Sequence, residues 1–306
     1  MSTHSDLTGT IVLGRFRVDA ELGRGAMGSV YRGTHVDSER PVAIKIMHDR
    51  LHVEPQMLAR FRREARVAGK MIHPNLIGVI DAGETDGRPV MVMEYAVGTT
   101  LSALLAVPPA PRRVIQLVRQ ILRGLEHAHG VGLIHRDLKP DNIIVEISGD
   151  GTEIPRIVDF GIAVLRDHPE DGAGKLTATG QIVGTPLYMA PEQAQGDPID
   201  HRADLFALGI IVYQMLAGRP PFLGSSIEIQ LAYITKDPPP IASFQASVDP
   251  LLEAFARKLM ARKLDARFAS AADALRVLDL IEVDRREAGL ALGLMDVASA
   301  LDMIKL

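Results

Sequence analysis

Residues 135–142 read His135-Arg136-Asp137-Leu138-Lys139-Pro140-Asp141-Asn142. Five charged or titratable groups fall within these eight residues, directly after the apolar run Val131 to Ile134. The stretch therefore reads as a buried segment that delivers charges at its mouth. Charges clustered at the rim of a core need partners or a chemical task. Everything on either side has to say which.

Immediately upstream, Val114, Leu117, Val118, Ile121, Leu122, Leu125 and Ala128 recur at helical spacing and predict a long helix with a wide apolar face. The prolines of 107–111 punctuate its start, and Gly98 to Thr100 mark a crossing point between two kinds of chain. Before the crossing, Phe16 to Val42 alternates in a β-prone pattern broken by turn residues. Short strands are expected at Leu76 to Ala82 and Pro89 to Glu94, and one amphipathic helix from Pro55 to Met71, with Phe61, Ala65 and Ala68 on one side. After the crossing come short strands at Ile143 to Ile147 and Arg156 to Asp159, then a Gly/Thr-rich loop. Helices follow around Ala203 to Leu216, Ser226 to Ile234, Pro250 to Met260 and Ala271 to Ile281. The expected class is α+β: an antiparallel sheet with one main helix, followed by a mainly helical lobe. The expected boundaries are a flexible polar lead-in over 1–12, a main domain over 13–281 and a C-terminal helical extension over 282–306. Within the main domain a small lobe covers about 13–95 and a large lobe about 99–281.

Composition narrows the function classes. At 306 residues and 33.2 kDa, with 47% hydrophobic residues, the chain can fill one large or two medium cores. A net charge of -4 gives no broad electrostatic footprint for nucleic acid or an anionic membrane. Cysteine is absent, which excludes disulfides, thiolate metal sites and cysteine nucleophiles. The first ten residues lack a signal-peptide pattern, and no apolar run approaches the roughly 18–20 residues of a membrane-spanning helix. The expectation is a soluble cytoplasmic protein, or the soluble portion of one.

Further motifs give the charged loop something to act on. Gly23, Gly25 and Gly28 form G-x-G-x-x-G, but the chain continues as a strand rather than a helix, which suits a hairpin whose backbone N–H groups cover phosphates. Lys45 ends the apolar run Val42-Ala43-Ile44, where an unpaired ammonium would be costly. It needs an anion, and phosphates plus Glu64 on the following helix would serve. Asp159-Phe160-Gly161 follows a short apolar strand. The loop at 135–142, with an aspartate to orient a hydroxyl and an asparagine to hold a metal, has the spacing of a phosphoryl-transfer loop.

Taken in order from about Phe16 to about Leu280, these motifs resemble the eukaryotic-type protein kinases, specifically the Ser/Thr kinases of bacteria. The resemblance implies a bilobal fold with ATP in the cleft, and it can be carried over position by position. Leu22, Gly23, Gly25 and Gly28 would cover the nucleotide, Val30 and Ala43 would roof the adenine, and Ile144 would floor it. Met93 would gate the back of the pocket, with Glu94 and Ala96 in the connector beside the adenine. Lys45, paired with Glu64, would hold phosphate; Asp159 and Asn142 would hold Mg2+ or Mn2+. Asp137 would orient and deprotonate the substrate hydroxyl, and Lys139 would offset charge on the transferring group. Glu192 of Ala190-Pro191-Glu192 would be buried against Arg267, Asp204 would brace the loop, and His135 would pack beneath Phe160. Thr177 and Thr179 would be phosphorylated in a loop that also carries Thr185, with Arg136 receiving the phosphate.

Protein substrates are the implied partners, together with a homodimer during autophosphorylation. A small-molecule phosphotransferase would lack the G-T-x-x-Y-M-A-P-E segment, which is present, and a pseudokinase scaffold would have lost Lys45, Asp137 or Asp159, which are all retained. Other features take plainer readings. His127 and His129 are packing or surface residues rather than metal ligands, and the arginines at 60, 62, 63 and 66 form a solvated or inter-subunit face. Leu290, Leu294, Val297, Leu301 and Ile304 form about two heptads, too few for a coiled coil, so packing on the main lobe and binding a partner remain equal alternatives.

Overall fold

The computed structural model describes residues 7–25, 28–48, 65, 67–160 and 186–294. Period-two alternation builds its first sheet. β1 (Ile11–Val12), β2 (Phe16–Arg24), β3 (Gly28–His35), β4 (Pro41–Met47), β5 (Val79–Thr85) and β6 (Arg88–Glu94) pair antiparallel in the order β1-β2-β3-β4-β6-β5. Val42, Ile44 and Ile46 of β4 point to one face and are buried with Phe16, Val18, Tyr31, Val90 and Val92. Ala43 and Lys45 consequently point to the other face. There Met91 and Met93 of β6 join Ala65 and Ile77 in a second apolar cluster. The strand that carries the lysine is thus sealed on its back and open on its front.

Two boundaries differ from the sequence expectation. The strand expected at Leu76 to Ala82 begins only at Val79, because Leu76 and Ile77 are drawn to the other lobe: Leu76 bridges Ile157, and the Ile77 N–H donates to the Ile157 carbonyl at 3.0 Å. The lead-in assigned to 1–12 also contains structure, since Val12 is buried in β1 and the Gly9 N–H donates to the Val18 carbonyl at 2.8 Å. A polar sequence gave no sign of a two-residue strand that gains its stability from β2.

At the crossing, Gly98–Thr100 forms β7, which pairs with β8 (Ile143–Ile147), itself paired with β9 (Glu153–Ile157). The residues after β9 leave the ladder because the Val158 N–H donates to the Asn142 carbonyl at 2.9 Å and Asp159 takes a left-handed φ of 65°. Helices α1 (Leu101–Leu104) and α2 (Pro111–Gly130) follow β7, and Pro111 opens α2 where a missing N–H costs nothing. Beyond them come α3 (Pro191–Gln195), α4 (Arg202–Ala217), α5 (Ser226–Thr235), α6 (Pro250–Leu259), α7 (Ala271–Val283) and α8 (Arg285–Ala291). α4 is apolar on every side and buried almost throughout, the pattern of a helix at the centre of a core rather than on its surface. Of the helix expected from Pro55 to Met71, Ala65, Val67 and Ala68 are helical, and its first ten residues lie outside the described residues. Val297, Leu301 and Ile304 also lie outside them. The described part of the extension, α8, packs on α6 and α7: Arg285 chelates Asp249 at 2.8 and 2.9 Å, and the Lys258 Nζ donates to the Ala291 carbonyl at 2.9 Å. Among the described residues, no helix is long and apolar enough to cross a membrane.

Candidate functional site

The open face of the first sheet is one wall of a cleft. Antiparallel register sets Val30 and Met91 beside Lys45, and Met93 beside Ala43. Leu22 is exposed at the end of β2. Gly23 and Gly25 have open space or ordinary contact around them, whereas a Cβ on Gly28 would stand 2.4 Å from the Ile46 carbonyl oxygen. Only glycine lets the hairpin lie so close to β4. Across the cleft the Lys45 Nζ is 3.1 Å from Asp159 Oδ2, and both side chains are largely shielded from solvent. Glu64, the other expected partner, lies outside the described residues.

Glu94 and Ala96 occupy the connector between the two sheets, and the connector is fastened from below. Arg156 of β9 bonds Glu94 and donates to the Leu76 carbonyl at 3.0 Å, while the Val97 N–H donates to Glu146 at 2.9 Å. Sequence reading missed Arg156 and Glu146. The available signal was charge on two short strands, Glu146 among the aliphatic residues of β8 and Arg156 between Pro155 and Ile157 of β9, which demands partners. Ile144 stands half-buried between Ile143 and Val145, whose side chains are buried on the opposite face of β8.

The loop 135–142 is held almost atom by atom. Asp204, at the start of α4 and 1% exposed, accepts the N–H groups of His135 and Arg136, each at 2.8 Å, and a third bond from His129 Nε2 at 2.8 Å. Burial pushes the Asp204 carboxyl up, but the hydrogen bonds from His129 and from the His135 N–H outweigh it, so its pKa lies below the ordinary carboxylate value. His129 is therefore packed, as expected, and also anchors this carboxylate. His135 is buried, its ring edge-on to Phe160 at 4.7 Å; Nε2 donates to the Val158 carbonyl at 2.8 Å, leaving Nδ1 to accept from the Asp137 N–H at 3.3 Å. Asn142 Nδ2 donates to the Asp137 carbonyl at 2.9 Å, and Lys139 Nζ is 3.4 Å from Asp137 Oδ2. Asp141 is exposed in the first turn of the 3-10 helix Pro140–Asn142. Burial first, and the Asp141 charge second, push the Tyr188 phenol above its ordinary pKa.

Two residues at this site hold backbone conformations that non-glycine residues rarely adopt: Arg136 at φ 63° and Asp159 at φ 65°. Such angles persist only where surrounding bonds over-determine them, as they do here. Below the loop, Glu192 and Arg267 form the expected pair, bidentate at 2.7 and 3.1 Å and almost wholly buried, with the guanidinium 5.0 Å from the Phe206 ring centroid. Thr177, Thr179 and Thr185 lie outside the described residues. Gln193, which sequence reading passed over, accepts from the Ala190 N–H at 3.0 Å and donates to the Arg136 carbonyl at 2.9 Å.

Comparison with known proteins agrees with this arrangement. Residues 16–276 match the protein kinase domain family. The chain is 37% identical over 287 residues to the serine/threonine-protein kinase pkn3 of Myxococcus xanthus, covering 92% of this chain and 52% of that protein. To Pkn1 of the same organism it is 41% identical over 261 residues, covering 85% and 37%. To the serine/threonine-protein kinase PknB of Mycolicibacterium smegmatis it is 35% identical over 281 residues, covering 90% and 44%. The chain thus spans about half or less of the length of these curated relatives. Among solved structures, the Mycobacterium tuberculosis PknI kinase domain is similar with a TM-score of 0.69 and 26% identity, covering 90% of this chain and 99% of that one. A sheet-rich lobe and a helical lobe facing each other across Lys45 and Asp159, with a family match running through both, make this chain a member of the protein kinase domain family.

Proposed function

We propose that this chain is a protein serine/threonine kinase, transferring the γ-phosphate of ATP to serine or threonine hydroxyls of protein substrates. The observation that carries the reading is the meeting of Lys45 and Asp159 at 3.1 Å, directly above a loop that presents Asp137, Lys139 and Asn142. In this reading Lys45, completed by Glu64, holds the α- and β-phosphates, and the backbone of the Gly23–Gly28 hairpin covers them. Leu22, Val30, Ala43, Met93, Ala96 and Ile144 enclose the adenine, with the Glu94 to Ala96 backbone along its edge.

The residues present fit a divalent cation. With Nδ2 of Asn142 committed to the Asp137 carbonyl, Oδ1 is the atom left to coordinate, and together with the Asp159 carboxylate it makes a hard oxygen donor set suited to Mg2+ or Mn2+. When bound, such an ion supplies positive charge that offsets the phosphate oxygens. The chain's own groups do the remaining work. Asp137 orients the substrate hydroxyl and takes its proton as the oxygen bonds to the γ-phosphorus and the bond to the ADP oxygen breaks. Lys139 offsets the charge on the transferring group. Lysine two residues after Asp137, with Thr185 in Gly184-Thr185-Pro186, favours serine and threonine over tyrosine. Phosphate placed on Thr177 or Thr179, by a second copy of the chain, would bond Arg136.

Incubation with labelled ATP, Mg2+ and a generic protein substrate tests the reading. Wild type is expected to label protein, and Asp137→Asn to lose essentially all of that label. Unlabelled protein with wild type, or full labelling by Asp137→Asn, would falsify it. Mass spectrometry of the same samples should place phosphate on Thr177 or Thr179 in wild type and not in Lys45→Met; equal phosphate in both would assign the modification to another kinase.

A further inference from the structure

The side chain of Gln193 joins segments 57 residues apart in sequence. Its first bond, from the Ala190 N–H to Oε1 at 3.0 Å, is ordinary capping by the third residue of a helix. A glutamate would make that bond equally well. The second bond, from Nε2 to the Arg136 carbonyl at 2.9 Å, needs a donor, which an ionised carboxylate lacks. Capping therefore explains an acidic or amide residue here, and only the second bond explains the amide.

The carbonyl it holds belongs to the peptide between Arg136, at φ 63°, and Asp137. The neighbouring backbone groups have their own restraints. Asp204 takes the two N–H groups before that peptide, His135 Nδ1 takes its N–H at 3.3 Å, and Asn142 takes the Asp137 carbonyl after it. Gln193 supplies the hold on its oxygen. It does so from the helix that begins with Pro191-Glu192, so the peptide that aims Asp137 is fastened to α3.

We propose that Gln193 is a positioning residue for phosphoryl transfer: its amide fixes the Arg136–Asp137 peptide in the left-handed turn, and thereby the direction of the Asp137 carboxylate. This rests on the kinase reading above. Because the Gln193 amide bonds Ala190 and Arg136, whereas phosphate is assigned to Lys45 and metal to Asp159 and Asn142, loss of the amide should slow the chemical step and leave nucleotide binding alone.

Two variants separate the bonds. Gln193→Glu keeps the acceptor for Ala190 and removes the donor to Arg136, whereas Gln193→Leu removes both. In steady-state assays corrected for folded fraction, kcat is expected to fall about tenfold in both, equivalent to ~1.4 kcal/mol. KM for ATP should stay within about twofold, and KM for a peptide substrate should rise in Gln193→Leu alone. Amide hydrogen exchange gives a readout independent of activity. The Asp137 N–H should exchange faster in both variants, and the Ala190 N–H faster only in Gln193→Leu. A Gln193→Glu enzyme with wild-type kcat, or with an equally protected Asp137 N–H, overturns the proposal. If wild type transfers no phosphate, the kinase reading fails, and the exchange comparison still decides whether Gln193 clamps the peptide.

Discussion

The Glu192–Arg267 pair is more deeply buried than the Lys45–Asp159 pair at the cleft. Both side chains are almost fully removed from solvent, and the guanidinium also donates to the Ala261 and Arg202 carbonyls, at 3.0 and 2.8 Å. Removing one partner strands the other charge in a low-dielectric interior, where it cannot recover its hydration. Glu192→Ala should therefore lower unfolding free energy by about 3–5 kcal/mol, measured by urea titration. A loss below about 1 kcal/mol would be the value for a solvated pair and would contradict the burial. At this scale the sequence was informative: a glutamate after Ala-Pro and an arginine before Phe268 were expected to meet, and they do. Gln193 was not expected, because glutamine is common on helix surfaces and its second partner lies in a different segment.

At the scale of elements, helix positions were readable and pairings were not. Ser225, Asp249 and Ser270 each accept an N–H from the first turn of the helix they precede, which fixes where those helices start. The start of β5 was displaced because Leu76 and Ile157 meet across the lobes, and the end of β9 because Val158 turns to the Asn142 carbonyl, neither of which a local pattern encodes. α8 provides a pH test. The Arg285 bonds, opposed by partial burial, hold the Asp249 carboxyl below its ordinary pKa. A depressed folded value means that the stabilisation is present above the unfolded pKa of about 3.9 and is lost as pH falls through the folded one. Hydrogen exchange corrected for intrinsic rates should show α8 constant near neutrality and losing protection in acid before α4 does. Simultaneous loss in both helices would show that the Arg285 link is not what docks α8. Because Arg285 is more than half exposed, Arg285→Ala should loosen α8 at neutral pH by no more than about 1 kcal/mol.

At the scale of the whole molecule, Lys45 on the sheet-rich lobe and Asp159 beneath it form an ion pair across the cleft. A ligand that engages both should stabilise the two lobes together. Binding at a hundred times Kd adds about 2.7 kcal/mol to folding stability, roughly 4–5 °C in melting temperature for a domain of this size. Wild type should show that shift with ATP and Mg2+, and Lys45→Met should lose most of it; an undiminished shift in the variant would remove Lys45 from the binding account. The sequence by itself determined the order of the motifs, the two-lobe division and the positions of the main helices, since alternation and helical period act over a few residues. Tertiary structure alone decided that His129 anchors Asp204 beneath the loop, that Gln193 reaches the Arg136 carbonyl and that Arg156 fastens the connector. Those bonds join residues tens of positions apart, and only the packed cores of the two lobes hold them within hydrogen-bond reach.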